Sequence, residues 1–225
     1  MNRESICDKT GYVFRNEELL ENALTHSSYI REIEEPQYKC NERLEFLGDA
    51  YLDMIISKKL YEMLPEENEG VLTKYRALIV CGASLAEIGK DLDIGSLLRL
   101  GRGEEQSGGR ERESIIADAV EALIAAIILD GGYEEGEKFV LRHFGNRIED
   151  VLSGRVQQDY KSELQEMMQA NGPCSIKYRT TGETGPDHDK TFYVDVLVSN
   201  KVAGSGTGKN KKEAEQNAAK DALGK

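Results

Sequence analysis

Acid stands where a helix should be apolar. The run SIIADAVEALIAAIIL at residues 114–129 is hydrophobic on every side of any helix it could form, yet it carries Asp118 and Glu121. Spaced i, i+3, the two carboxylates share one helix face. An unpaired buried carboxylate is costly even after relaxation, so both need hydrogen-bond donors, cationic neighbours or a metal ion. A second stretch, NERLEFLGDAYLD, supplies Glu42, Glu45 and Asp49 at i, i+3, i+7. At 100° per residue these three fall within about 60° of one another on a helical wheel. Two such acid stripes predict a site for a hard divalent cation, which favours carboxylate oxygens with waters completing its coordination.

Blander chemistry competes at each position. Acids at i, i+3 are usually a solvated helix face or salt-bridge partners, and Asp118 could be a buried acid bonded to Arg43, Arg110 or Arg112. Asp53 continues the stripe one turn past Asp49 and reads as an outer residue. His26 in THSSY reads as a hydrogen-bonded structural histidine rather than a general base, since a water activated by a metal needs no imidazole. Phe46 projects at about 40° on the same wheel, on the acid side rather than the opposite apolar side. An aromatic there either fills a gap between helices or docks into a partner.

The elements that must hold these residues follow from periodicity. The first 150 or so residues read as helix after helix, with an apolar helix over 42–63 ended by Pro65. TKYRALIVCGASLAEIGKDLDIG carries amphipathic spacing closed by glycine, and GRGEEQSGGRER at 101–112 reads as a Gly-rich polar loop. A polar stretch near LSGRVQQ marks a hinge. Beyond it DYKSELQEMMQANG reads as a helix, SIKYRTT and TFYVDVLV as alternating strands, KVAGSGTG as a third strand and KNKKEAEQNAAKDAL as a closing helix. The expected fold is multidomain: an all-α domain over 1–152, a linker over 153–158, and a small α+β domain of order αβββα over 159–225.

Composition sets the outer bounds. With 225 residues, 39% hydrophobic and 31% charged, the chain is expected to be globular, with room for one larger and one small domain. The apolar run after Ser114 is shorter than a bilayer span, and MNRESICDKTG has no hydrophobic signal core, so no membrane partner is expected and a cytoplasmic location follows by default. Cys7, Cys40, Cys81 and Cys174 are unpaired by any CxxC spacing, and His26, His143 and His188 are far apart, which predicts reduced thiols and no zinc site. The net charge of −12 argues at first against nucleic acid. However, residues 156–225 hold 10 basic and 10 acidic residues of the 29 and 41 in the chain, which leaves 19 against 31 in the remainder. The acidic part would repel phosphates unless cations and a second, basic element mediated the contact, which turns attention to the tail.

These halves, in this order, resemble bacterial ribonuclease III. The resemblance is carried by ERLEFLGD at 42–49, by SGGRERESIIADAVEALIAAIILDGG, by THSSY at 25–29 and by ENEGVLTKYRA at 67–77, followed by a double-stranded RNA-binding fold. It implies that Glu45, Asp49, Asp118 and Glu121 hold catalytic Mg²⁺, with Mn²⁺ able to substitute, and that Glu42 and Glu69 line a wider active valley. Asp49, Glu121, Glu42 and Glu69 form the implied catalytic set. A water acidified by the ion would attack phosphorus within an RNA duplex. By resemblance the products carry 5′-phosphate and 3′-hydroxyl ends, and the role is processing of ribosomal and other structured RNA. The resemblance also places Phe46 at a two-fold interface, which implies a homodimer with one centre for each strand. In the tail it assigns Lys209, Lys211 and Lys212 to phosphates, and Ser162, Gln165, Glu166, Gln169 and His188 to minor-groove contacts. Unpaired N–H groups at the start of the last helix, with the helix dipole, would favour phosphate as well. Asn210 stands where the family commonly has serine, and either side chain can cap a helix.

Two other functions remain in view at this level. A non-catalytic regulator that binds duplex RNA has no need to keep charge inside an apolar helix. A non-nuclease helical metal enzyme of the di-iron kind would carry Glu-x-x-His pairs, which the sequence lacks.

Overall fold

In a computed structural model the chain divides into two compact units, Met1–Gln157 and Gln158–Lys225. The structure describes residues 3–155, 160–170, 174–186 and 190–224. The first unit is helical: α1 (Arg3–Thr10), α2 (Glu17–Ala23), α3 (Ser27–Glu32), α4 (Glu42–Met63), α5 (Glu69–Ile79), α6 (Gly82–Asp91), α7 (Ile94–Leu97), α8 (Arg102–Gln106), α9 (Glu113–Gly131) and α10 (Tyr133–Leu152).

Helix α9 is the axle of this unit. A helix that is apolar all round has no face to give to water. Twelve of its nineteen residues are buried, from Ile115 to Ile128, beneath α4, α6, α10 and α2. Helix α4 meets it with Leu44, Gly48, Leu52, Ile55, Ile56 and Leu60, a single face at i, i+4, i+8 and onward. The two pass in close contact at Gly48, where a Cβ would lie 1.9 Å from the carbonyl oxygen of Glu121. Only glycine permits that crossing. Beside it Ala23, Leu44, Ala122, Ala125 and Ala126 form a small-residue cluster that brings the end of α2 to the same place.

Two stretches differ from the sequence expectation. The amphipathic run from Thr73 to Gly95 is broken, with α5 ending at Ile79 and α6 beginning at Gly82 after an extended Cys81. The guanidinium of Arg147 on α10 donates to the carbonyl of Leu78 at 3.2 Å, satisfying a group that a helix end leaves unbonded. The expected loop at 101–112 contains α8 and a turn of 3₁₀ helix at Gly109–Glu111. Arg110 ties it down by donating to the carbonyls of Gly95 at 3.0 Å and Leu98 at 2.8 Å.

The second unit is α11 (Tyr160–Ala170), β1 (Ile176–Thr184), β2 (Thr191–Val198), β3 (Lys201–Gly208) and α12 (Lys211–Ala222), with an antiparallel sheet in the order β1-β2-β3. Leu164, Val194, Val196, Ala214, Ala218 and Ala219 make its core. Alternate residues of β3 are glycines, and a Cβ on Gly204, Gly206 or Gly208 would lie within 2.6 Å of α12 backbone. Ala214, Ala218 and Ala222, four apart along α12, sit over that track. Lys161 on α11 pairs with Glu215 at 2.6 Å and lies over the Tyr178 ring, fastening the first helix to the last and to the sheet. The expected linker at 153–158 falls partly outside the described residues.

Candidate metal centre and nucleic-acid surface

The close crossing at Gly48 puts the acid faces of α4 and α9 against each other. One carboxylate oxygen from each of Glu45, Asp118 and Glu121 lies within 4.8 Å of the other two, and all three residues are half-buried. Neither Arg110 nor Arg112 neutralises them: Arg110 is bound to Glu105 and to loop carbonyls, and Arg112 pairs with Glu104. Burial, followed by repulsion from Asp49, Asp118, Glu45 and Asp53, pushes Glu121 up to about 8. Glu45 is raised by burial and then by Asp118, Glu42 and Asp49. Burial also raises Asp118, while the nearby His26 ring pulls it back. Burial and mutual repulsion thus disfavour ionising all three carboxyls together, and either a proton or an oxygen-seeking cation relieves them. Three carboxylates with no thiolate or imidazole among them make an all-oxygen donor set of the kind that suits a hard divalent cation.

The remaining sequence-derived acids are placed differently. Asp49 is exposed one turn along α4, outside the triangle, though its charge reaches both Glu45 and Glu121. Glu42 accepts from Gln37 Nε2 at 3.0 Å, and this bond, with others from Ser27 and Cys40, holds its carboxyl below the usual range. Glu69, in the first turn of α5, accepts from Thr73 Oγ1 at 3.2 Å and lines a groove with Met54, Tyr61, Leu72 and Arg76. Asp53 faces Arg76 at 3.6 Å, a partner from α5 that the stripe alone did not reveal. Gly48 was missed as well: a glycine among acids in a helix is the available signal, but only the partner helix gives it meaning.

Phe46 is 80% exposed within the chain, so it does not fill an internal gap. Met54 and Tyr61 are exposed on the same side of α4, at i+8 and i+15.

On the second unit Ser162 and Gln165 are exposed along α11, and Lys209, Lys211 and Lys212 are exposed around the start of α12. The side chains of Glu166 and Gln169, and the whole of His188, lie outside the described residues. Asn210, the N-cap of α12, accepts the Glu213 N–H through Oδ1 at 2.9 Å, while Glu213 Oε2 accepts the N–H of Lys209, the residue before the cap, at 2.7 Å. One of the N–H groups expected to be open for phosphate, that of Glu213, is therefore taken. The exposed lysine side chains stand around the same helix end.

Residues 16–148 match the family described as Ribonuclease-III-like, and residues 160–225 match the double-stranded RNA binding motif. The Ribonuclease 3 of Desulforamulus reducens is 53% identical over 215 residues, spanning 96% of this chain and 87% of that protein. The nuclease domain of ribonuclease III from Campylobacter jejuni superposes with a TM-score of 0.60 at 38% identity, over 65% of this chain and 95% of that domain. A second structure of that domain, described for flexibility in a region involved in dimer formation, gives a TM-score of 0.60 at 38% identity over 64% of this chain and 97% of its own. Among the described residues no helix is long and apolar enough to cross a membrane.

Proposed function

The chain belongs to the ribonuclease III family, and on that premise we infer that it is an endoribonuclease that hydrolyses phosphodiester bonds within double-stranded RNA, leaving 5′-phosphate and 3′-hydroxyl ends. The observation that carries the reading is the meeting of Glu45, Asp118 and Glu121 in a unit followed by a duplex-RNA-binding fold. Glu45, Asp49, Asp118 and Glu121 hold Mg²⁺, for which Mn²⁺ can substitute, and Glu42 and Glu69 line the wider site. Bound there, the ion supplies Lewis acidity, an acidified water and charge stabilisation at phosphorus. The protein's own contribution is to fix the carboxylates before the ion arrives, through the Gly48 crossing, and to hold the duplex.

Holding falls to the second unit. Lys209, Lys211 and Lys212 face phosphates, and Ser162, Gln165, Glu166, Gln169 and His188 reach the minor groove of the duplex. The division into 1–152, a linker at 153–158 and 159–225 follows that split of labour. Phe46, with Met54 and Tyr61 beside it, forms an exposed apolar stripe suited to a second copy of the chain, so the active assembly is a homodimer with one centre per strand. Ribosomal and other structured RNAs are the substrates. A purely RNA-binding role is disfavoured by the half-buried acids, which such a role leaves without a use.

The test is incubation of the purified protein with a long RNA duplex, with and without Mg²⁺, followed by sizing and end-group analysis. Short duplex products with 5′-phosphates, formed only with the ion, are expected. Binding without cleavage at every Mg²⁺ concentration would leave the regulator reading in its place.

A further inference from the structure

Three elements of the first unit meet where α1 ends. Gly11, with a φ of 71°, closes that helix by donating its N–H to the Cys7 carbonyl at 2.8 Å. Arg142 of α10 lies directly against it, for a Cβ on Gly11 would stand 2.1 Å from the guanidinium. Lys9, on the last turn of α1, reaches Asp93 just past α6 at 3.2 Å. The buried Thr10 bonds through Oγ1 to the Ile6 carbonyl at 2.7 Å, and Ile6 is itself part of the main core. The end of α1 thus covers that core from a seat shared by α6 and α10.

His143, next to Arg142, is the titratable group inside this junction. Its side chain is half-buried, and the ring packs on the buried Phe139 with centroids 4.7 Å apart. Nε2 is shielded from water and has no hydrogen-bond partner among the described residues. A neutral imidazole has one hydrogen and can keep it off Nε2, whereas an imidazolium has one on each nitrogen. Charging the ring therefore puts a donor and a positive charge where nothing receives them. The neighbouring groups act in the same sense on balance. Burial, followed by Arg142, holds the ring below the ordinary 6.5, while the Thr10 backbone and Asp91 at the end of α6 pull it back. Helices α4, α5 and α9 also pack on α10 and add no charge to these.

We propose that His143 is a proton-operated clasp on α1: neutral, it lets the ends of α1 and α6 close against α10; charged, it opens the junction to bring Nε2 to water and uncovers the core beneath Ile6. The clasp works in mild acid. Its contribution is whole above the ordinary 6.5 and is lost as the pH falls below it, because the folded ring holds its proton less tightly than a free one. The raised acids at the α4–α9 crossing have the opposite sign, since a falling pH favours their protonated, folded form. Carboxyls held below their ordinary 3.8 and 4.5, Asp93 and Glu42 among them, yield only in stronger acid. The test follows amide exchange in the full chain, corrected for intrinsic rates, from about pH 7.5 to about pH 5, beside the chemical shifts of the His143 ring. Protection of Gly11 and the α1 amides is expected to fall by about threefold or more over that range, while amides in the middle of α9 keep theirs. His143→Phe, whose ring suits the same apolar contact and takes no proton, is expected to hold α1 protection level. An equal fall in His143→Phe overturns the proposal, as does a ring that titrates at or above its ordinary value. A uniform fall across the whole unit overturns it too, since the clasp acts on α1 alone. If His143→Phe does not fold, the unaltered chain decides: α1 protection that does not follow the ring's own titration is equally fatal.

Discussion

Both units contain a seam where glycine lets two backbones touch, and the seams are built for opposite ends. At the α4–α9 crossing a single glycine brings carboxylates together, and the contact raises Glu45 and Glu121 by burial and mutual repulsion. At the α12–β3 seam three glycines admit a row of alanines, and nothing charged is buried. The second seam is ordinary close packing. The first accepts a standing electrostatic cost that packing alone would not select, and that cost is the reason the catalytic site is proposed there.

The largest effect is expected from removing charge at the first seam. Glu121→Gln should lower duplex cleavage by orders of magnitude while duplex binding persists. The same change should stabilise the ion-free protein. Glu121 has a folded value near 8 against an ordinary 4.5, so its favourable contribution is present in acid and is lost as pH rises through about 8. The melting advantage of Glu121→Gln should therefore widen between those limits and shrink when Mg²⁺ is added. A variant that melts lower than the unaltered protein at pH 8 without metal would show that the Glu121 carboxylate is favoured, not penalised, by its surroundings.

Next in size is the first glycine. In Gly48→Ala the new Cβ would stand 1.9 Å from a backbone oxygen, and backbone cannot turn aside. A loss of about 1–3 kcal/mol or more in the first unit is expected, with weaker Mn²⁺ binding as the acids part. Unit-resolved amide hydrogen exchange would locate the loss. Gly206→Ala, 2.1 Å from the Ala218 nitrogen, should cost a similar amount in the second unit alone. Cleavage at low salt should survive it, and parallel loss of exchange protection in both units would mean that the seams are not independent.

The smallest effect belongs to the exposed lysines. Lys211→Ala with Lys212→Ala should leave stability within about 0.5 kcal/mol and lower the magnitude of the salt slope for duplex binding by about one to two units. An unchanged slope would take these side chains off the RNA.

How much of this could be read in advance differs between local and distant causes. The limits of α4, β2 and β3 are visible in periodicity and turn residues, because a helix face or an alternating strand is a local pattern. The acid stripes are legible for the same reason. The split between α5 and α6 is not, since the Leu78 carbonyl is satisfied by Arg147 from far along the chain. Helix α8 was hidden by its glycines, because the Arg110 bonds that order the segment are tertiary. Likewise the helix start at Asn210 was half legible: the cap was expected, but the Glu213 N–H that it takes was counted among the open ones.

The glycine track of β3 has one more result. A helix seated on side chains inherits their rotamers and can rock as they repack; α12 rests on bare main chain and has little such play. With Lys161 and Glu215 joining α11 to it, the two helices stand at a set separation, like the jaws of a calliper locked at one reading. A ligand that reached from one to the other, as proposed for duplex RNA, would be gauged by its dimensions before any of its chemical letters was consulted.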